Sequence, residues 1–226
     1  MTDPRQGDEV VTVRISSTTG RVTVTARPDA AVSCTGSAKV VERAGETTIE
    51  AGSGRLDVTV PEGANVLVGT RTGRVDVRGR VGHAAVVTET ARVTLDRAAS
   101  ADVRSRSGKV EIGEVDGECR VRSASGRVAV RACGTTDVAT KSGRVTVEEV
   151  DGPARVHCVS GRISIGMASA NDVDAESVSG RIEVSVPPGV RVHRSDHPDD
   201  GSTRPADCDC TVAARSLTGR VAVTSR

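Results

Sequence analysis

Thr140-Lys141-Ser142-Gly143-Arg144-Val145-Thr146-Val147-Glu148-Glu149-Val150-Asp151-Gly152 is the stretch whose reading decides the fold. After Gly143 the side chains alternate cation, apolar, polar, apolar, the period of a strand whose neighbouring residues point to opposite faces. Gly143 supplies backbone freedom for a sharp corner, and Asp151-Gly152 supplies a second corner nine residues later. Two short strands separated by corners make one coil of a stack.

The phrase recurs along the chain. Taking the Gly or Ala before the cation as an anchor, copies stand at Gly20, Gly54, Gly73, Ala91, Gly108, Gly126, Gly143, Gly161, Gly180 and Gly219, with a worn one at Gly36. Successive anchors are 16, 18, 19, 18, 17, 18, 17, 18 and 19 residues apart, then 39. A fixed short period marks a stacked repeat architecture. The second and fourth residues after each anchor are apolar, as is the fifth before it, and the third before it is usually Ser or Thr. Inward parity makes that hydroxyl column internal, bonding between coils or capping the corners. The expected fold is all-β, a single-stranded β-solenoid (β-helix) of about twelve coils with about 18 residues each. At strand spacing its length is on the order of 55 Å, with right-handed coiling the expected hand.

The repeat leaves no room for a second core, so residues 10–226 read as one domain behind a disordered segment, 1–9. The polar stretch at about 193–207 reads as a loop or degraded coil. The 226 residues carry 31 Lys and Arg against 30 Asp and Glu, a net charge of +1, so no global field draws the chain to nucleic acid or an acidic membrane. No stretch reaches the roughly 18 apolar residues of a membrane span, and the start lacks an apolar signal core, so a cytoplasmic location is expected. Phe, Tyr and Trp are absent. That removes the stacking platforms used for single-stranded nucleic acid and sugars, and sequence-specific nucleic-acid binding is not expected.

Ser-Gly-Arg-Val-x-Val with a Val-Asp-Gly corner, as in Gly143 to Gly152, resembles the bacterial adhesin-like β-strand-repeat family. The resemblance implies a β-solenoid and no catalytic residues. It also implies kinship with proteins that are in some cases exported, membrane-tethered or associated with cell-envelope stress. This chain departs from the commoner form in its cation after the anchor and in its lack of aromatic residues.

Ten anchors are followed by a cation that parity places outward, among them Lys109, Arg127, Arg144 and Arg162. Neighbours at about 4.8 Å repel by roughly 0.9 kcal/mol in water before screening, a cost small enough for duplication alone to have left the ladder. More cations project from the first strand of the central coils: Arg104, Arg106, Arg120, Arg122, Lys141 and Arg155. Glu114, Asp116, Glu118, Glu148, Glu149 and Asp151 gather at the other corner. The basic face is the candidate binding surface for a protein or polyanionic partner; its plainer alternative is a solvated face of cross-rung ion pairs.

Asp57 and Asp76 hold equivalent places in successive copies, which suggests a carboxylate pair about 5 Å apart. An Arg two residues from each gives both the same surroundings, so they are not expected to make an acid and a base. His193, His197, Cys208 and Cys210 offer four zinc-type ligands, but Cys208, Cys210 and Val212 share the inward parity of a strand, so no metal is expected. Cys119 and Cys158 are inward too, Cys133 lies near a corner, and His83 and His157 have no partner assignable from sequence. The expectation is a non-enzymatic scaffold or interaction protein without cofactor or catalytic residues. End-to-end self-assembly through the C-terminal coil and a polysaccharide-active β-helix are the alternatives.

Overall fold

The computed structural model describes residues 10–43, 45–195 and 207–225. They hold ten strands and no helix: β1 (Thr12–Arg27), β2 (Ser33–Thr35), β3 (Ala38–Arg43), β4 (Glu46–Pro61), β5 (Asn65–Val150), β6 (Ala154–Met167), β7 (Val173–Val186), β8 (Val192–Ser195), β9 (Cys210–Ser216) and β10 (Val221–Ser225). The very long β5 turns several corners without losing its pairing, so one element contains several repeats. The expected segment 1–9 lies outside the described residues.

The repeats stack in parallel and in register. Gly143 pairs with Gly161 and Gly161 with Gly180, and the residues two and four places later, Val145 with Ile163 and Val147 with Ile165, pair in step. These side chains form one continuous buried cluster with Val138, Val156 and Ala175 from the strand before the corner. β-Branched residues suit this narrow interior because they fit a pleated surface while filling little depth. The anchors need glycine because backbones meet there. At Gly143 φ is +131°, and a Cβ would come within 1.9 Å of the carbonyl oxygen of Gly126. Backbone contacts of the same kind run unbroken from Ala91 through Gly108, Gly126, Gly143, Gly161 and Gly180 to Gly219.

Stack order departs from chain order at both ends. β1 lies between β4 and β5, with Gly20 paired to Gly54 on one side and Gly73 on the other. The chain therefore lays down β1, moves outward to β4, then crosses back to begin β5. The worn copy at Gly36 is not a coil of the parallel stack. β2 and β3 flank it and run antiparallel along the outer side of β4, with Thr35 opposite Asp57 and Ala38 opposite Ala51. Gly36, at φ +136°, packs on the backbone of Arg55. The reversal covers the open edge of the first layer, where unpaired N–H and C=O groups would otherwise face solvent.

The far end repeats the manoeuvre. β9 and β10 both pair with β7, while β8, earlier in the chain than either, pairs with the outer side of β9. The start of the expected loop at 193–207 is therefore strand: His193 opposes Thr211 and Ser195 opposes Ala213. Among the described residues no strand covers β10 on its outer side, where Arg194 donates a single hydrogen bond to the Val223 carbonyl at 3.1 Å.

Candidate functional site

The hydroxyl column caps the corners of its own repeats. Ser105 donates to the Ser107 carbonyl at 3.1 Å, Ser123 to Ser125 at 3.1 Å and Thr140 to Ser142 at 3.2 Å. The Cys158 thiol does the same toward Ser160 at 3.2 Å. Three members lack this bond, and one of them, Ser216, donates to the Gly180 carbonyl of the neighbouring layer at 3.1 Å instead. Thr88 and Ser177, 5% and 6% exposed, have hydroxyl oxygens without a partner. Their corners turn at Ala91 and Gly180, neither of which takes the positive φ of the other central anchors. The corner conformation thus decides whether the carbonyl comes within reach.

On the outward face of this first strand the side chains two and four places before the anchor enclose an open groove of about 770 Å³. It contains Arg104, Arg106, Arg122 and Lys141 from the expected basic face, together with His157, Glu176 and Arg215. It is also markedly apolar: Val87, Val159, Val178 and Leu217 line it while 54%, 52%, 48% and 63% exposed. The expected basic face is apolar toward the C-terminal end. The sequence held that signal in plain view, since these residues break the outward polar parity.

Ion pairs consume many of the cations. Arg122 forks onto the Asp137 carboxylate at 2.8 and 2.6 Å, which holds that carboxyl below its ordinary pKa and raises the guanidinium's. Arg120 lies between Glu118 and Asp137, Arg104 pairs with Asp102 at 3.0 Å and Arg155 with Asp174 at 3.4 Å. Lys109 pairs with Glu111. Arg106 and Lys141 make no hydrogen bond or ion pair among the described residues. They are the uncompensated charges of the groove.

Around the corner, Arg127, Arg144, Arg162 and Arg181 line a second cleft, of about 590 Å³, whose floor is the bare backbone of Gly126, Gly143 and Gly161. Arg181 reaches Glu183 at 3.8 Å, whereas Arg127, Arg144 and Arg162 have no polar partner among the described residues. The sequence-derived basic face is therefore two surfaces separated by a corner.

The remaining candidates disperse. Asp57 and Asp76 are not neighbours: both pair with Thr23, because β1 is inserted between their strands, so they stand two layers apart. At roughly 9.6 Å they are beyond the separation of a retaining glycosidase pair. Asp57 is held below its ordinary pKa by its hydrogen bond from Arg55 at 2.7 Å. Cys210 is buried beside Val212, and Cys208, which precedes the strand, is only partly buried between exposed neighbours. His197 lies outside the described residues. Burial pushes the Cys133 thiol up to about 11 and raises those of Cys119 and Cys158 as well. Both histidines left without partners by sequence have one: His157 meets Glu176 at 3.2 Å, and His83 meets the Ser100 hydroxyl at 2.8 Å. No helix among the described residues is long and apolar enough to cross a membrane.

The Toastrack DUF4097 family matches residues 10–216, and the chain belongs to that family. The family is of unknown function, and its match carries the repeat-like β-architecture without an activity. No curated protein and no solved structure matches the chain.

Proposed function

We propose that this Toastrack-family chain is a non-catalytic interaction module that holds an elongated anionic partner, an acidic protein segment or a polyanion, along its length. In this reading it is a right-handed β-solenoid of about twelve layers, the hand being the one that parallel β connections almost always take. The observation that carries the reading is the run of Arg127, Arg144 and Arg162 on successive layers, without carboxylate partners and above a glycine floor. Three guanidinium groups at about 4.8 Å spacing repel one another, and a bound chain of negative charge relieves that repulsion. The resemblance to adhesin-like repeats, and the envelope role that this resemblance implies, fit such a binder. A catalytic reading finds little support, since the one carboxylate pair suggested by sequence is split by Thr23.

The test is binding to heparin as a defined polyanion at several salt concentrations. Affinity should fall steeply with salt through counterion release, and Arg127→Ser, Arg144→Ser and Arg162→Ser together should lower the slope by roughly one unit per arginine. Arg120→Ser with Arg122→Ser should do less, because carboxylates already neutralise both. Weak binding with the same shallow slope for every variant would refute the reading.

A second reading, self-assembly through the C-terminal layer, is favoured by one observation. The outer side of β10 has no strand on it among the described residues, and Val221 is 41% exposed there. An open strand edge of this kind is a template for another copy's strand.

A further inference from the structure

The groove before the corner separates charge from apolar surface lengthwise. Two places before the anchors, one column reads Arg106, Ala124, Lys141, Val159, Val178 and Leu217 on successive layers. The first half holds the two uncompensated cations; the second holds three exposed aliphatic side chains spanning about 10 Å. In the parallel column, four places before the anchors, Arg104, Arg122 and His157 are each tied to a carboxylate.

This pattern selects among occupants. An amphipathic helix along the rod would need an apolar stripe over its whole length with charges beside it, because its segregation runs around its circumference. In the column from Arg106 to Leu217 charge and apolar surface lie end to end, and Val87, in the other column at the cationic end, is the exception. A flat membrane surface does not enter a concavity, while a volume of about 770 Å³ suits one small molecule. We propose that the groove is a binding site for a single-chain anionic amphiphile. Its head lies between Arg106 and Lys141, and its acyl tail covers Val159, Val178 and Leu217. Burying those side chains supplies apolar transfer energy, and the head gives Arg106 and Lys141 the charge they lack. This site is separate from the arginine cleft around the corner and does not depend on it.

Calorimetric titration with monomeric dodecanoate tests the site, with dodecyltrimethylammonium and acetate as the head-reversed and tail-less controls. Expected is one dodecanoate per chain and no measurable binding of either control. Arg106→Glu with Lys141→Glu, and separately Val178→Glu, should each weaken binding about ten-fold or more, the scale of one lost charge-assisted contact or buried side chain. Unchanged unfolding midpoints would show that the variants fold. Equal binding of the cationic amphiphile, or binding unmoved by both variants, overturns the proposal. Co-sedimentation with phosphatidylglycerol vesicles without binding of monomeric dodecanoate also overturns it, by placing a membrane on this face. Heparin binding of the same variants keeps the two surfaces apart: retained heparin binding with no dodecanoate binding refutes the groove alone.

Discussion

Gly143 lies on Gly126 so closely that its bare Cα faces the carbonyl oxygen of the layer before, with 1.9 Å left for any Cβ. The same layer-to-layer contact gives the stack its regular rise along the glycine column. Ala91 shows the alternative: without a positive φ the corner accepts a methyl group, and the Thr88 hydroxyl loses its acceptor.

Gly143→Ala should therefore destabilise the protein by about 2 kcal/mol or more, combining a strained φ with a backbone clash. Gly63→Ala, where a Cβ meets nothing within 4 Å, carries only the strain of its φ of +76° and should cost less. Urea unfolding of the two variants compares them. Equal midpoints would show that the glycine column tolerates side chains.

The Arg122–Asp137 pair makes acid sensitivity local. Asp137 has its pKa lowered in the folded state, so the unfolded chain binds the extra proton and the pair's contribution is present above the ordinary Asp pKa of about 4. It is lost as pH falls from there through the folded value. Asp137→Asn should lower stability by roughly 1 kcal/mol at neutral pH and flatten the dependence below about pH 4. Thermal midpoints from pH 2 to 7 check this, and parallel curves for the two proteins would contradict it.

Thiol reactivity should divide the six cysteines. Cys34 and Cys208 are partly exposed, while Cys119, Cys133, Cys158 and Cys210 are buried, and burial raises the pKa of Cys119, Cys133 and Cys158. Iodoacetamide at neutral pH should label Cys34 and Cys208 first and reach the other four only after denaturation, because the thiolate is the reacting species. Peptide mapping by mass spectrometry gives the order. Rapid native labelling of Cys119 would mean that the central layers open.

The open side of β10 should make association depend on concentration. Wild-type protein is expected to gain mass in light scattering as concentration rises, and Val221→Lys to stay smaller by placing a charge on the strand edge. A wild type that remains monomeric throughout would show that water satisfies this edge.

Side-chain parity made the interior legible in sequence. Val145 and Val147 alternate with polar residues for the same reason that both are buried, and the glycine anchors marked the corners. Layer order was not legible. Gly20, Gly54 and Gly73 open the same phrase, so the pattern is unchanged whichever of them sits between the other two. Asp57 and Asp76 were misjudged as neighbours for that reason. Gly36 carried a worn phrase because its backbone runs the other way, where the pressure for Arg-Val-x-Val no longer applies. The Arg122–Asp137 fork was hidden by geometry: it joins residues 15 apart, diagonal to a repeat of about 18.

At both ends of this rod a strand is threaded into the stack out of turn, and the layers between are laid down in sequence. That arrangement has a genetic consequence. A duplication or deletion of one whole phrase between Ala91 and Gly180 joins equivalent surfaces and leaves both threaded ends intact, whereas a deletion within residues 12–61 removes a strand on which its neighbours depend. Length is therefore the trait this architecture leaves free to drift. Relatives should differ by multiples of one phrase in the middle while keeping their two interlocked ends, as a ladder is extended by rungs without changing its feet.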